Sequence, residues 1–377
     1  MVINIASFGG RTHMLDTARE LEKFGHTVRF YSYVPTKRAM RFGLKKECSY
    51  SIYWFAFPFL ILFKLFGSGK WREDLYNYCC DLFLSYYMKP CDVFIGQSPM
   101  HMRAIKRAKK KYHALTILER GVSHVLFQQK VLESIKSTKN SMSKLHVKRD
   151  LKGYNYPDFI SVGSEHVKQT FLMYGFPENK IFVNNYGVNL QFFKPTALSG
   201  SPIYDVLIVG QWCYRKGCDL IIEAVKDLNI KLLHVGTIID IDFPDLPNFT
   251  HVDSQPEYRL IDYYKQSRVF LMPSRDEGMS LVQPQALACG LPLVCSKNSG
   301  GRDLRTSLID SKYILEMEDY NVTCLKDNIR RSLSLSFEQG TEVRNIMNSK
   351  DTLSYKAYGI RYNAFLNKVI NNRLKVK

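Results

Sequence analysis

No C-x-x-C pair occurs in the sequence, although it contains nine cysteines. An odd number without metal-ligand spacing fits neither a disulfide framework nor a zinc site, and reduced thiols of a cytoplasmic protein are the simpler account. There is no apolar run of about 20 residues, the length that crosses a bilayer. The opening MVINIASFGG lacks the charged start and apolar core of a signal peptide and reads as a strand followed by a glycine turn. A G-x-x-x-x-G-K-[ST] string is absent, which argues against a P-loop. So is any repeat of roughly 20–50 residues, the mark of a repeat array.

Acidic residues are also in short supply, 35 Asp and Glu against 53 Lys and Arg, for a formal net charge of +18. The imbalance is local: residues 1–190 hold 29 basic and 14 acidic side chains, or +15, and the remainder carries +3. Such a half suits a polyanionic partner (nucleic acid, an anionic membrane or a phosphorylated substrate), or it is a solvated basic surface. The run KRAKKK (106–111) has neither interleaved aromatics nor a recognised reading module, so no nucleic-acid partner is expected.

What is present is globular: 45% hydrophobic and 23% charged residues in 377, enough for two domains with cores of their own. Apolar strands alternate with amphipathic helices. VINIASF, a helix over Met14–Phe24 and TVRFYSY make a β-α-β start. CDVFIGQ (91–97), ALTILER (114–120), FISVGS near 160 and KIFVNNYGV continue it. QFFKPTALSGSPIY (191–204) lacks periodicity and reads as a linker. A second series follows: YDVLIVG (204–210), a helix over Cys218–Leu228, KLLHVG (231–236), NFTHVD (248–253), VFLMPS (269–274) and GLPLVCS (290–296). A closing helix is expected from Leu353. Residues 51–66, SIYWFAFPFLILFKLF, are either a buried core segment or an interfacial one, with Lys64, Lys70, Trp71 and Arg72 beside the aromatics.

The chemistry gathers after strand ends, where ligands of doubly wound sheets bind. PSRDEGMSLVQPQALACGLPLV (273–294) places Glu277 and Gly278 between a strand and a helix. The amides of Gly278, Met279, Ser280 and Leu281 would face a phosphate or sugar, and Glu277 could accept from vicinal hydroxyls. Gln285 lies eight residues after Glu277 and could reach the same ligand. VLIVGQWCYRKGCDLIIEAV (206–225) supplies Arg215 and Lys216, a fork and a point charge suited to a diphosphate. SFGGRTH (7–13) offers Gly9, Gly10, Arg11 and His13, and LERGVSH (118–124) offers Glu119, Arg120 and His124. Asp240-Ile-Asp242 is a D-x-D, read as a surface loop and not as a metal site.

These strings resemble the family 4 retaining glycosyltransferases over most of the chain. The strongest stretch runs from 160 to 300, with Glu277-Gly278, Gln285-Ala286, Ala288, Gly290 and Pro292 following the family signature. The resemblance implies the GT-B fold, two Rossmann-like α/β domains facing across a cleft. It implies an acceptor-side domain over 1–190, a linker over 191–203, a nucleotide-sugar domain over 204–352, and a closing helix and tail over 353–377. Glu277 would hold the donor sugar and Gln285 the ribose, where the family has a second Glu. Gly9 and Gly10 would approach the phosphates. Arg215, Lys216 and His124 would act with Glu277 at the reacting centre, and His13, Glu119 and Arg120 on the acceptor side. The expected activity is metal-independent transfer from a nucleotide-sugar to a glycan or lipid-linked acceptor in bacterial surface polysaccharide synthesis. No cofactor is expected, and the setting is cytoplasmic, with peripheral attachment to the inner membrane face a further expectation. The alternatives are a nucleotide-sugar epimerase and a non-catalytic glycan- or nucleotide-sugar-binding protein.

Overall fold

A computed structural model describes residues 1–7, 12–67, 69–98, 101–135, 142–200, 203–348 and 350–375. Gly9, Gly10 and Arg11 lie outside the described residues.

Two all-parallel sheets organise the chain. The first contains β1 (Val2–Ser7), β2 (Thr27–Ser32), β3 (Ser49–Ser51), β4 (Val93–Gln97), β5 (Leu115–Arg120), β6 (Phe159–Val162) and β7 (Ile181–Val183), in the order β3-β2-β1-β4-β5-β6-β7. The second contains β8 (Tyr204–Val209), β9 (Leu232–Val235), β10 (Phe249–Val252), β11 (Ser267–Met272), β12 (Leu293–Ser296) and β13 (Ile314–Met317), in the order β10-β9-β8-β11-β12-β13. Helices cover both faces of each sheet, which is why the strands read as unbroken apolar runs; Ile3, Ile5, Val93, Phe94 and Ile95 have no solvent exposure. Strand order reverses between β1 and β4 and again between β8 and β11. The crevices at the carboxyl ends of those pairs are where such sheets bind ligands.

The last helix, Tyr355–Lys375, does not stay with the second sheet. It returns to the first, where the Tyr358 and Thr17 hydroxyls meet at 2.9 Å and Phe365 stacks on Phe182 at 4.0 Å. Arg361 donates to the Asn184 side chain and to the Asn185 carbonyl, each at 2.8 Å. The two domains are thus tied both by the connection near residue 190 and by this returning helix.

Every strand expected from the sequence is present. Two are added, β3 and β13, the first a three-residue polar edge strand (SYS) with no apolar pattern to betray it. The 51–66 segment is not a buried core segment, since Ala56 is the one buried residue of its helix. It is a helix, Tyr53–Phe66, whose Phe55, Phe59 and Phe63 pack on the helix Lys70–Tyr87 while other side chains remain exposed. Pro58 sits inside it, lacking the amide that would bond the preceding turn.

Candidate active site

The cation-bearing loop after β8 is fixed before any ligand arrives. Trp212 is fully buried and bridges to Ile238, and the Tyr214 amide donates to Asp240 Oδ1 at 2.9 Å. Asp240 of the D-x-D therefore braces this loop. Gly217 ends the turn at φ 76°, and a Cβ there would lie 2.2 Å from the Pro273 carbonyl oxygen, so no larger residue lets the loop approach β11 this closely. Arg275 completes the brace. Its guanidinium takes Asp219 in a two-pronged pair at 2.6 and 2.7 Å, and its amide donates to the Arg215 carbonyl at 2.8 Å.

This frame delivers Arg215 and Lys216 to Glu277. Lys216 Nζ and Arg215 Nη1 both contact Glu277 Oε2, the latter at 3.3 Å, and Arg215 Nη1 also donates to the Asp276 carbonyl at 2.8 Å. The Glu277 amide donates to the Asn298 carbonyl at 2.8 Å, which fixes the backbone of the same residue. Burial alone would raise the Glu277 pKa, but the two cations outweigh it and hold the carboxyl below its usual range. The result is an ionised carboxylate with two cations at the mouth of a strand crevice.

Past Glu277 the loop touches the other domain. A Cβ on Gly278 would come within 2.1 Å of the Gly121 carbonyl oxygen, and one on Gly300 within 2.6 Å of Ser164 Cβ. The close approach that Gly278 permits is thus first of all between the two domains. Among the described residues, nothing accepts from the amides of Met279, Ser280 and Leu281. Gln285, almost fully buried, accepts from the Tyr264 hydroxyl at 3.1 Å and donates to Glu257 Oε1 at 3.2 Å. Where the resembled family has a carboxylate, this chain has an amide backed by Glu257, a residue with no motif to flag it.

On the facing side, His13 Nε2 lies 3.0 Å from Glu119 Oε1, and its ring stacks on Tyr186 at 4.0 Å. The Tyr186 hydroxyl donates to the same Glu119 oxygen at 3.4 Å. Glu119 Oε2 is buried and has no partner among the described residues. Gly121, the residue against Gly278, adjoins the His13 ring. His13 and Glu119 are therefore brought together at the cleft.

Two expectations for this loop need correction. His124 does not reach the reacting centre: it caps the helix Val125–Ser134 by accepting from the Leu126 amide at 3.3 Å, and its ring stacks on Tyr174 at 4.5 Å beside Tyr154 and Phe171. Burial, with the nearby Arg120 charge adding to it, pushes its pKa down to about 4. Arg120 does not face an acceptor either. It pairs with buried Asp150 at 2.6 Å and donates to the Ser123 carbonyl at 2.9 Å, so it shapes the loop from beneath.

Residues 204–334, which contain Arg215, Lys216, Glu277 and Gln285, match the family described as glycosyl transferases group 1. The chain has the GT-B glycosyltransferase fold, and the group 1 match lies in its second half. Among curated relatives it is 28% identical over 201 residues to a D-inositol 3-phosphate glycosyltransferase of Xylanimonas cellulosilytica, covering 45% of this chain and 48% of the relative. An uncharacterized glycosyltransferase of Methanocaldococcus jannaschii is 28% identical over 130 residues, 33% of this chain and 36% of the relative. The chain thus spans half or less of the length of these relatives. Similar solved structures cover nearly everything at low identity. Sucrose-phosphate synthase of Thermosynechococcus elongatus has a TM-score of 0.64 at 13% identity, over 98% of this chain and 99% of that one. Anabaena HepE in complex with UDP-glucose has a TM-score of 0.57 at 11%, over all of both chains.

In this GT-B chain the second domain is clasped to the first by residues that the sequence did not single out. Asp276 Oδ1 accepts from the Ser123 hydroxyl and lies 3.2 Å from His166 Nε2. Asp303 Oδ2 accepts from the Glu165 amide at 2.6 Å. Asp276 thus touches the first domain while its own carbonyl holds Arg215, so the clasp and the donor-side charges share one residue.

Proposed function

We propose that this chain is a metal-independent, retaining glycosyltransferase that moves a sugar from a nucleotide-sugar donor to a glycan or lipid-linked acceptor in surface polysaccharide synthesis. One observation carries the reading: an ionised Glu277 is held in the cleft by Arg215 and Lys216, on the loop that closes against the other domain. A donor diphosphate would take over the two cations, which would offset the charge that develops as the nucleoside diphosphate departs. Glu277, released from them, would accept from the sugar hydroxyls. Gln285 with Glu257 would hold the ribose, and the amides of Met279, Ser280 and Leu281 would meet phosphate or sugar oxygens.

Glu277 is bound to cations on the donor side, which suits it to positioning and not to attack on the anomeric carbon. A donor phosphate oxygen would then take the acceptor proton on the same face, giving retention, with the protein supplying orientation and charge. His13, oriented by Glu119 and Tyr186, would be the imidazole on the acceptor side, the role the resemblance implies for it. The free thiols fit a cytoplasmic setting, and among the described residues no helix is long and apolar enough to cross a membrane. The test is release of nucleoside diphosphate from UDP-, GDP- and ADP-sugars by wild type and Glu277→Gln. Release by wild type that collapses in the variant supports the reading; no release from any donor, or equal release by both, overturns it.

A further inference from the structure

The first domain carries a face that the transfer reading does not use. On the helix Tyr53–Phe66, Phe55, Phe59 and Phe63 turn inward: Phe55 stacks on Phe83 at 4.1 Å, and the other two meet the Tyr76 ring at 5.6 and 5.5 Å. Trp54, Phe57, Ile61 and Leu65 recur at helical spacing on the opposite side and face solvent. Trp54 is 80% exposed, Leu65 68% and Phe66 65%, and Trp71 at the start of the next helix is 62% exposed. Apolar side chains this large are rarely left in water as a contiguous stripe without a partner.

A basic groove lies on the helix Met102–Tyr112, which packs, as the stripe-bearing helix does, with the helix Lys70–Tyr87. Arg103 lies over the ring of exposed Tyr78 at 4.7 Å, and Arg107 over that of exposed Tyr86 at 5.3 Å, both tyrosines being on the helix Lys70–Tyr87. The groove, about 450 Å³, is lined by Arg103, Lys106, Arg107, Lys110, Lys111 and Lys152, with no acidic residue among its lining. Aromatic and aliphatic side chains on one helix, exposed tyrosines on the second and cations on the third are residue types that the water–lipid boundary selects.

We infer that the face made by Tyr53–Phe66, Trp71 and the basic row of Met102–Tyr112 docks on the headgroup layer of an anionic phospholipid bilayer. Charge complementarity selects this occupant. A second copy would bring another +18 against the first. A soluble polyanion would meet the groove but leave Trp54, Leu65 and Phe66 in water. The helix, 14 residues or roughly 21 Å long, is too short to span a hydrocarbon core of about 30 Å and lies in the interface instead. It starts after the carboxyl end of β3, the end of the sheet at which Glu119 sits. The inference goes beyond the transfer reading and stands without it.

Co-sedimentation of the full chain with vesicles tests it, using phosphatidylcholine alone and phosphatidylcholine with roughly a third phosphatidylglycerol. Binding is expected to the anionic vesicles only, to be lost at about 0.5 M salt, and to fall at least roughly tenfold in Trp54→Ser/Leu65→Ser and in Lys106→Glu/Lys110→Glu. Both pairs are on the surface, and donor cleavage in vesicle-free buffer should be unchanged in them. The protein has three tryptophans and Trp212 is buried, so a blue shift of the emission on binding reports Trp54 and Trp71. No binding at low salt, equal binding to neutral vesicles, or full binding by the Trp54→Ser/Leu65→Ser variant overturns the inference. So does a wild-type dimer that this variant converts to monomer. Failure of donor cleavage in every protein would count against the transfer reading alone.

Discussion

Replacing Glu277 by Gln should separate catalysis from nucleotide binding. The substitution keeps the side-chain shape and removes its charge. In the free chain Glu277 neutralises Lys216, whose amine is nine-tenths buried, and Arg215, four-fifths buried. Removing the carboxylate leaves both cations without their partner, and breaking a buried pair of this kind costs up to about 3–5 kcal/mol. A diphosphate supplies the missing charge, so the cost is recovered when nucleoside diphosphate binds. The affinity for UDP, GDP or ADP, whichever the protein uses, should therefore rise or hold. Transfer should fall, because an ionised acceptor to the sugar hydroxyls is lost. Such a hydrogen bond contributes about 1.5–3 kcal/mol, which corresponds to roughly ten- to 150-fold in turnover. Calorimetric titration with the nucleoside diphosphate, beside turnover measured as its release, reads both quantities on the same preparations. Thermal melting with and without nucleotide checks that the apo variant is the one that loses stability. Turnover within twofold of wild type, or nucleotide affinity falling in step with turnover, would refute the assignment of Glu277 to the sugar and of the two cations to the diphosphate.

Three further outcomes follow from the same geometry. Turnover should survive EDTA at no less than half its initial value, because Arg215 and Lys216 carry the charge role; a complete loss restored by Mg²⁺ or Mn²⁺ would move that role to a metal. Arg275→Ala removes the guanidinium that joins Asp219 to the Tyr214 carbonyl and so loosens the loop that carries Arg215 and Lys216; the donor KM should rise by roughly tenfold or more with a smaller change in kcat, measured by steady-state kinetics. His13→Gln should lower turnover by at least roughly tenfold, whereas His124→Asn, which preserves a helix cap, should leave it within threefold and act on stability instead. Burial lowers the pKa of His101 to about 3 and of His124 and His234 to about 4, below the unfolded value near 6.5. The unfolded chain then binds more protons between those values. Stability should fall as pH drops from about 6.5 to about 4, at about 1.4 kcal/mol per pH unit for each such histidine. His124→Asn should make that decline shallower, as read from melting temperature against pH.

Much of the architecture was legible because it rests on local signals. Buried parallel strands show as apolar runs, helix faces as 3.6-residue spacing, and both survive translation into β1, β8, β11 and the helix Cys218–Leu228 without knowledge of contacts. β3 escaped because three polar residues on a sheet edge carry no pattern. The Glu277 loop was equally readable as a string, since its residues are consecutive. Its supports were not: Arg275–Asp219 spans 56 residues, Gln285–Glu257 28, and Ser123–Asp276 153. His124 misled for the same reason. A histidine after a strand suggests chemistry, and only the surrounding Tyr154, Phe171 and Tyr174 rings show it to be a buried cap. The helix Tyr53–Phe66 could be recognised as apolar from its composition, but which stripe is inside required the partner helix.

The central claim, retaining sugar transfer without a metal, is tested most directly by proton NMR of donor cleavage in EDTA. The purified chain is incubated with UDP-, GDP- and ADP-sugars, and the released sugar is observed before it mutarotates. The account predicts that at least one α-linked donor yields nucleoside diphosphate and, in equal amount, a sugar that first appears as the α-anomer. First appearance as the β-anomer, or no cleavage of any donor above the buffer rate, would contradict it.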